Sequence, residues 1–321
     1  MKTFIVGIEI GGTKQQIALG SPEGEIFRTI HGSVDVKEGG KGIRRWLKAN
    51  MPGFIRDCES DYGQVSAIGC GFGGPIDTSE GRVLRSMHVE GWQDFPIKAW
   101  FEDTFSLPTT VENDANAATW GEYRRGFGQG CQHFFYTNIG SGIGGGFVFN
   151  GELYNGQGVG AGEFGHTYVP DWTSADPGAA KEVENLCSGW SIQGRLREPS
   201  YVPESADLFQ RFSGDLASVT PADLADSARN GDVFALKEID RVAHSLGIGL
   251  ANVLGLSSVE RIAIGGGVSK MGDLLIDRIR KYTAEYVFIS SKERYEISKC
   301  ALGDAIVLVG AILLAAGMHQ E

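Results

Sequence analysis

A short strand that runs into a glycine turn and then into a second strand occurs twice in this chain, and this repetition most restricts its fold. Residues 4–8 are rich in Phe, Ile and Val, precede Gly11-Gly12, and are followed by a second apolar stretch at 17–19. The same order returns over 134–150, with a glycine turn at 140–146. Because apolar runs bounded by glycine are typical of strands joined by tight turns, the repetition predicts a duplicated α/β domain core.

The apolar and glycine patterns outside these two units predict further strands and helices. Glycines interrupt residues 122–132, where we place a linker. At about 100–200 residues per domain, the chain length indicates two domains. We expect a first domain over 1–122, completed by a C-terminal helix at about 302–321, and a second domain over 123–301. The predicted strands cover 25–30, 65–72, 109–112 and 262–264, and the predicted helices cover 41–56, 96–105, 114–123, 270–286 and 304–317, with helices dominating 205–255.

Charge, hydropathy and cysteine usage exclude several classes of protein. A net charge of −11 argues against a broad nucleic-acid surface, which needs clustered Lys and Arg. The longest apolar run, 305–317, is shorter than the ~18–20 residues that span a bilayer, so we expect a buried helix and no membrane partner. The five cysteines are scattered and form no C-x-x-C pair, which favours free thiols and a reducing cytoplasm.

Glycine is over-represented, and it clusters in three turns that each follow a predicted strand. The chain has 47 glycines in 321 residues, or about 15%, against a usual ~7%. Without a Cβ, backbone N–H groups can approach an anion closely, and a nearby hydroxyl adds a donor. Each turn alone is equally compatible with a plain hairpin. Together they favour the binding of a nucleotide triphosphate, although no G-x-x-x-x-G-K-[ST] or G-x-G-x-x-G pattern is present. The turns are Gly11-Gly12-Thr13, the 140–146 run with Ser141 and Gly142, and Gly265-Gly266-Gly267.

The segment from Glu112 to Asn116 stands where a predicted strand ends and a predicted helix begins. Asn113 or Asp114 suits the N-cap of that helix. A carboxylate held at such a junction can also accept a hydroxyl proton during phosphoryl transfer, and Asn113 could hydrogen-bond a sugar hydroxyl. The residues alone leave capping and catalysis equally open.

A third polar group is formed by Glu163 and His166, in the stretch GEFGH, with Glu184 later in the chain. A carboxylate accepts two hydroxyl donors and an imidazole accepts or donates one hydrogen bond, so such groups suit polyol recognition. An exposed glutamate and a simply hydrogen-bonded histidine are the alternatives. A metal site at Glu163-x-x-His166 lacks an obvious third ligand.

In this order and spacing, the motifs resemble those of the ROK family (repressor, open reading frame, kinase) of sugar kinases, in the actin/hexokinase-like superfamily. The resemblance covers nearly the whole chain. It implies a two-domain actin/hexokinase-like (ribonuclease H-like) α/β fold with a duplicated βββαβα core, and a homodimer. The matching stretches are IEIGGTK at 8–14, GFGGPID at 71–77, VENDANAA at 111–118, GSGIGGG at 140–146, GEFGH at 162–166, IAIGGGV at 262–268 and LGDAIVLVGA at 302–311.

The resemblance implies ATP-dependent phosphorylation of a hexose at its 6-hydroxyl with Mg²⁺. Glucose is the first expectation, ahead of fructose and N-acetylmannosamine, and polyphosphate is an alternative donor. Asp114 is then the general base, and Glu9 takes the place of the family's usual Asp near Mg²⁺. The remaining residues matched to the family motifs are Gly74, Asn113, Glu163, His166 and Glu184 for the sugar, and Gly11, Gly12, Thr13, Lys14, Ser141, Gly142, Gly265, Gly266 and Gly267 for the nucleotide.

The chain departs from the family pattern at the zinc site that many members carry. Those members have Cys-x-Cys-Gly-x-x-Gly-Cys between the His and the second Glu, whereas residues 173–180 contain no cysteine. We therefore expect no zinc, a loop held by packing, and His166 serving the sugar alone. His88 stands where many members have Asn before Gly91-Trp92.

A second hypothesis is a sugar-binding sensor or regulator of the same family that has no catalytic activity. The family's repressors carry a helix-turn-helix domain ahead of the first phosphate motif. Here that motif begins at residue 8, so we expect no such domain and no DNA partner. The intact Asn113-Asp114 pair favours the kinase.

Overall fold

The computed structural model describes residues 2–86, 89–159 and 162–317, so His88 lies outside the described residues. The strands are β1 (Thr3–Ile10), β2 (Lys14–Gly20), β3 (Ile26–Ser33), β4 (Gln64–Phe72), β5 (Ile76–Asp77), β6 (Arg82–Val83), β7 (Thr109–Asn113), β8 (Phe134–Ile139), β9 (Ile143–Phe149), β10 (Glu152–Tyr154), β11 (Tyr168–Pro170), β12 (Ala180–Glu182), β13 (Arg261–Gly265) and β14 (Glu296–Lys299). The α-helices are α1 (Gly39–Asp61), α2 (Ile97–Phe105), α3 (Asp114–Arg125), α4 (Val183–Cys187), α5 (Gly189–Arg197), α6 (Asp207–Arg211), α7 (Pro221–Arg229), α8 (Val233–Ser257), α9 (Asp273–Tyr286) and α10 (Ile306–Gly317).

Two five-stranded sheets share one strand order. The first sheet runs β3-β2-β1-β4-β7 and the second runs β10-β9-β8-β13-β14. In the first, β1 pairs antiparallel with β2 and parallel with β4; in the second, β13 pairs parallel with β8 and β14. If the five strands of each sheet are numbered in chain order, their order across both sheets is 3-2-1-4-5. The duplicated core expected from the repeated strand–glycine–strand pattern is therefore confirmed.

Contacts divide the chain into two compact units. The first comprises Met1–Gly130, Gly146–Ala161 and Ala301–Glu321, and the second comprises Cys131–Gly145 and Gly162–Cys300. The first unit has a core of apolar side chains from β1, β2, β4 and α1, extended by aromatic residues such as Trp92 and Phe101. The second unit also buries apolar side chains, among them Leu250, Ile262 and Leu275.

Helix α10 packs against the sheet of the first unit through glycines. A methyl group on Gly69 of β4 would lie 1.9 Å from the backbone oxygen of Ala311, and one on Gly310 would lie 1.7 Å from that of Ala117 in α3. Side chains at these positions would therefore hold the backbones apart. Most of α10 is buried, as the apolar run predicts. Within the described residues, no helix combines the length and the apolar character needed to span a bilayer.

The second glycine turn is shorter than the turn that the sequence predicts over residues 140–146. The turn covers 140–142, and Gly144, Gly145 and Gly146 lie within β9. A methyl group on Gly145 would lie 2.9 Å from the backbone oxygens of Gly162 and Tyr136, so the close packing of neighbouring backbones explains glycine in this strand. The sequence also missed β5, β6, β10, β11, β12 and β14, which have two to four residues each and show too little periodicity.

Candidate active site

The first glycine turn joins β1 to β2 and lies beside a buried carboxylate. The Gly11 N–H donates to the Lys14 carbonyl at 3.0 Å, which closes the turn. Glu9, near the end of β1, is 7% exposed. One of its carboxylate oxygens lies 3.2 Å from Lys14 Nζ, and the other accepts from the amide of Gln16. The turn therefore combines the half-buried Gly11 and Gly12, the exposed Thr13 and an ion pair between Glu9 and Lys14.

Asn113 is the N-cap of α3. Its side-chain oxygen accepts from the N–H groups of Ala115 at 2.9 Å and Asn116 at 3.1 Å. Its Nδ2 donates to the Gly74 carbonyl at 3.1 Å. The capping alternative is thus the observed role of the Asn113 oxygen, and the same side chain ties the helix start to the turn after β4.

Asp114 is the first residue of α3, and its carboxylate faces two glycine turns of the same unit. Its Oδ1 accepts from the Ala115 N–H at 2.8 Å. A methyl group on Gly73 would lie 3.3 Å from Asp114 Oδ2 and 3.6 Å from Gly11 Cα. The Gly73 N–H donates to the Ile10 carbonyl at 2.8 Å, which holds the two turns together. The fold therefore brings Asp114 next to the turn at Gly73 and Gly74 and to the first predicted phosphate turn.

Glu112 is a buried carboxylate that the sequence did not single out. It is 5% exposed and accepts from the Asn113 N–H and, at 3.1 Å each, from the side-chain amides of Asn116 and Asn155. Burial raises the pKa of Glu112, although these three hydrogen bonds oppose the rise. The network connects the start of α3 to Asn155, just after β10. Its sequence signal is a glutamate directly before the Asn-Asp pair.

In the second unit, Glu184 lies against the second glycine turn. Its Oε2 accepts from the Ile143 N–H at 2.6 Å, and a methyl group on Gly142 would lie 2.5 Å from that oxygen. The Gly189 N–H at the start of α5 donates to the Gly140 carbonyl at 2.7 Å. The structure thus brings Glu184 together with Gly142 and the exposed Ser141.

Glu163 and His166 bracket a short 3₁₀ turn, Phe164–His166, and both are exposed. The turn packs on the start of β9, because a methyl group on Gly165 would lie 2.2 Å from the Ile143 carbonyl oxygen. His166 Nδ1 lies 3.8 Å from Glu182 Oε1. The GEFGH motif therefore lies beside the same strand start that Glu184 contacts.

The third glycine turn follows β13 and packs on the end of β8. Gly266 has φ +83°, and a methyl group there would lie 2.5 Å from the Ile139 carbonyl. Gly265 is equally restricted by the ring of Tyr136. Gly267 is exposed and has open space beside it. The second unit therefore holds Gly265, Gly266 and Gly267 next to the strand that leads into the second turn.

Residues 173–180, where the resemblance would place a zinc site, lie in a hydrogen-bonded hairpin loop in this protein. Asp171 accepts from Thr173 and pairs with Lys181 across the loop. The expectation of packing alone was therefore incomplete. Among the described residues, no three His, Cys, Asp or Glu side chains come close enough together to hold a metal ion.

Comparison with known proteins identifies the family. The sequence profile of the ROK family matches residues 5–318. This chain belongs to the ROK family. A glucokinase of Halalkalibacterium halodurans is 30% identical over 309 residues, which cover 96% of this chain and 93% of the relative. A xylose repressor of Caldicellulosiruptor bescii is 25% identical, over 97% of this chain and 77% of the repressor.

Solved ROK structures share the fold. A ROK family glucokinase from Streptomyces griseus, in complex with glucose and AMPPNP, superposes with a TM-score of 0.82 at 32% identity, over 98% of this chain and 99% of the relative. The expected actin/hexokinase-like class is therefore confirmed, with two five-stranded sheets. ROK relatives include both kinases and repressors, so the family alone does not fix the activity.

Proposed function

We propose that this protein is an ATP-dependent sugar kinase that transfers the γ-phosphoryl group to the 6-hydroxyl of a hexose, with glucose favoured. One observation carries the proposal: the Asp114 carboxylate stands at a capped helix start beside the turns at Gly73 and Gly11. Phosphoryl transfer leaves little covalent work to the protein, so positioning and charge neutralisation are what such a site must supply.

In this proposal Asp114 accepts the proton of the sugar hydroxyl as its oxygen attacks the γ-phosphorus. Asn113 donates one amide hydrogen to Gly74 and has a second for a sugar hydroxyl. Glu163 and His166, both exposed, offer further hydroxyl partners. Glu184 Oε2 accepts a hydrogen bond from the Ile143 N–H, and we assign Oε1 to a sugar hydroxyl.

The nucleotide is assigned to the glycine turns. Their backbone N–H groups, the hydroxyls of Thr13 and Ser141, and the Lys14 ammonium group suit phosphate oxygens. A magnesium ion bound together with ATP would supply positive charge that neutralises the phosphates. Glu9 is the acidic residue beside the first turn that we assign to this ion. Because one Glu9 oxygen pairs with Lys14 and the other accepts from Gln16, a magnesium ion at Glu9 would have to share one of these oxygens with its present partner.

A coupled ADP-release assay over a sugar panel tests the proposal. The panel contains glucose, fructose and N-acetylmannosamine, each with ATP as donor. A parallel panel with polyphosphate is followed by the formation of sugar phosphate, because transfer from polyphosphate releases no ADP. We expect ADP release that depends on the sugar and is fastest with glucose and ATP. Release with fructose or N-acetylmannosamine alone would move the assignment to a fructokinase or an N-acylmannosamine kinase. No ADP release with any sugar, together with no sugar phosphate formed from polyphosphate, would reject the kinase.

The second candidate function is a catalytically silent sugar sensor, which the repressor relative favours. Thermal shift together with the ADP-release assay separates the two candidates. A sensor would show a higher melting temperature in the presence of sugar and would release no ADP. We further propose a cytoplasmic homodimer, in keeping with the resemblance and with five free cysteines. Light scattering in solution tests the dimer, and a monomer at micromolar concentration would contradict it.

A further inference from the structure

The hairpin formed by β11 and β12 joins two of the proposed sugar-binding residues. The strands pair antiparallel, with Tyr168 opposite Glu182 and Val169 opposite Lys181. His166 directly precedes this hairpin, and Glu184 follows it in the first turn of α4. At this open end the Val183 N–H donates to the Thr167 carbonyl at 2.9 Å. Any shift between the two strands would therefore move His166 relative to Glu184.

The closed end of the hairpin is held by one nearly buried carboxylate. The Asp171 side chain is 10% exposed. Its Oδ1 accepts from the Thr173 N–H at 2.8 Å and from the Thr173 hydroxyl at 2.5 Å. Its Oδ2 lies 3.4 Å from Lys181 Nζ, on the opposite strand, and Lys181 also donates to the Thr173 hydroxyl at 2.9 Å. Asp171, Thr173 and Lys181 thus form a closed cluster that links both strands.

The backbone and a neighbouring ring reinforce this cluster. The Asp171 N–H donates to the Ala179 carbonyl at 2.9 Å. The Trp172 Nε1 donates to the Ser245 hydroxyl on α8 at 3.0 Å, and the ring lies against the guanidinium groups of Arg195 and Arg241. The loop is therefore fixed to the helical body of its unit, and the contact of Asp171 with Lys181 adds a side-chain link between the two strands to the backbone ladder.

We propose that Asp171 is a positioning residue of the sugar site, which holds His166 and Glu184 in place by tying Thr173 and Lys181 across the closed end of the hairpin. This inference rests on the proposed function for its catalytic readout. Asp171 touches neither sugar nor nucleotide in this account, so its effect reaches the reaction through His166 and Glu184.

Two substitutions at Asp171 and one matched control test the proposal. Asp171→Ala removes every contact of the carboxylate, whereas Asp171→Asn keeps an acceptor for Thr173 and loses the charge facing Lys181. Asp176→Ala is the control, because Asp176 lies in the same loop, is exposed, and accepts from Gly178 within the loop through its side chain. All three are assayed as the full chain.

The expected result is a split between the kinetic constants. Asp171→Ala raises the sugar KM on the order of tenfold, because small displacements of positioning groups are costly, while the ATP KM stays within about twofold. Asp171→Asn falls between Asp171→Ala and the wild type, and Asp176→Ala matches the wild type. A lower melting temperature with an unchanged sugar KM would reduce Asp171 to a purely structural role and overturn the proposal.

Hydrogen exchange gives a readout that does not depend on catalysis. In Asp171→Ala we expect faster exchange at the Val183 amide and across residues 167–183. In Asp176→Ala we expect a change only at the Gly178 amide, whose acceptor is removed. Unchanged exchange in Asp171→Ala would overturn the proposal even if no sugar were phosphorylated. A wild-type protein that is inactive on every sugar, with the expected exchange pattern, would instead reject the proposed kinase and keep the role of Asp171 in fixing the hairpin.

Discussion

At the residue scale, the proposed site depends on two adjacent residues, Asn113 and Asp114, which have different roles. The Asn113 oxygen caps α3, and Asp114 is the next residue, so the cap fixes the backbone that carries the carboxylate. An N-cap satisfies N–H groups that the helix leaves without partners, and this local rule explains why the Asn-Asp order matters. Capping and the proposed catalysis, which the sequence left as alternatives, are thus compatible in adjacent residues.

Substitution of Glu9 tests its assignment to magnesium. Glu9→Gln keeps the side-chain length but removes the charge that faces Lys14. Because a neutral amide is a weaker ligand for a hard cation, we expect the Mg²⁺ concentration for half-maximal activity to rise several-fold. The exposed Glu23→Gln, in the turn between β2 and β3, is the control. An Mg²⁺ titration of Glu9→Gln that overlays the wild type would remove Glu9 from the proposal.

Local sequence signals indicate the proposed site residues more readily than the contacts that those residues make. The glycine turns and the Asn113-Asp114 pair were visible because each follows from a few consecutive residues. The contact of Glu112 with Asn155 was not visible, since Asn155 is 43 positions away and directly follows the three-residue strand β10. The contact of Asp171 with Lys181 was missed because it depends on the register of two very short strands.

At the element scale, glycines allow α10 to pack closely against a strand and a neighbouring helix. Gly310 meets the backbone of α3, and Gly69 in β4 meets the backbone of α10. Helix α3 begins at Asp114, so this packing also determines where the carboxylate stands. The apolar run predicted a buried helix, but the surface against which it packs depends on contacts with β1, β4 and α3 that only the fold brings together.

Two glycines of α10 give a matched test of this packing. Gly310→Ala places a methyl group 1.7 Å from the Ala117 oxygen, whereas Gly317→Ala meets nothing within 4 Å. We expect Gly310→Ala to lower the free energy of unfolding by about 1–3 kcal/mol or more, and Gly317→Ala to change it by less than about 0.5 kcal/mol. Denaturant unfolding measures both. Equal stability of the two variants would contradict the close approach.

At the scale of the whole molecule, the two sheets repeat one strand order, and the proposed residues are divided between the two units. The first unit carries Glu9, the first turn and Asp114, and the second carries Ser141, Glu163, His166 and Glu184. The duplication was predictable because strands flanking glycine turns repeat along the chain. The choice of sugar was not, because it depends on how a few hydroxyl partners are spaced.

The contacts within the β11–β12 hairpin predict that the protein folds without zinc. Because Asp171, Thr173 and Lys181 hold that loop, we expect full folding without zinc. Protein treated with EDTA and dialysed should keep its melting temperature, contain far less than one zinc per chain by elemental analysis, and regain activity with Mg²⁺ alone. Stoichiometric zinc, or activity restored by zinc only, would contradict this.

The most direct test of the central claim is the turnover of Asp114→Asn. The substitution preserves shape but removes the proton acceptor, so kcat with the preferred sugar should fall by roughly 10²–10⁴-fold while the sugar still raises the melting temperature. Asp273→Asn, the same change at the first residue of α9, is the control and should leave kcat unchanged. A kcat for Asp114→Asn close to that of the wild type would show that Asp114 is not the base.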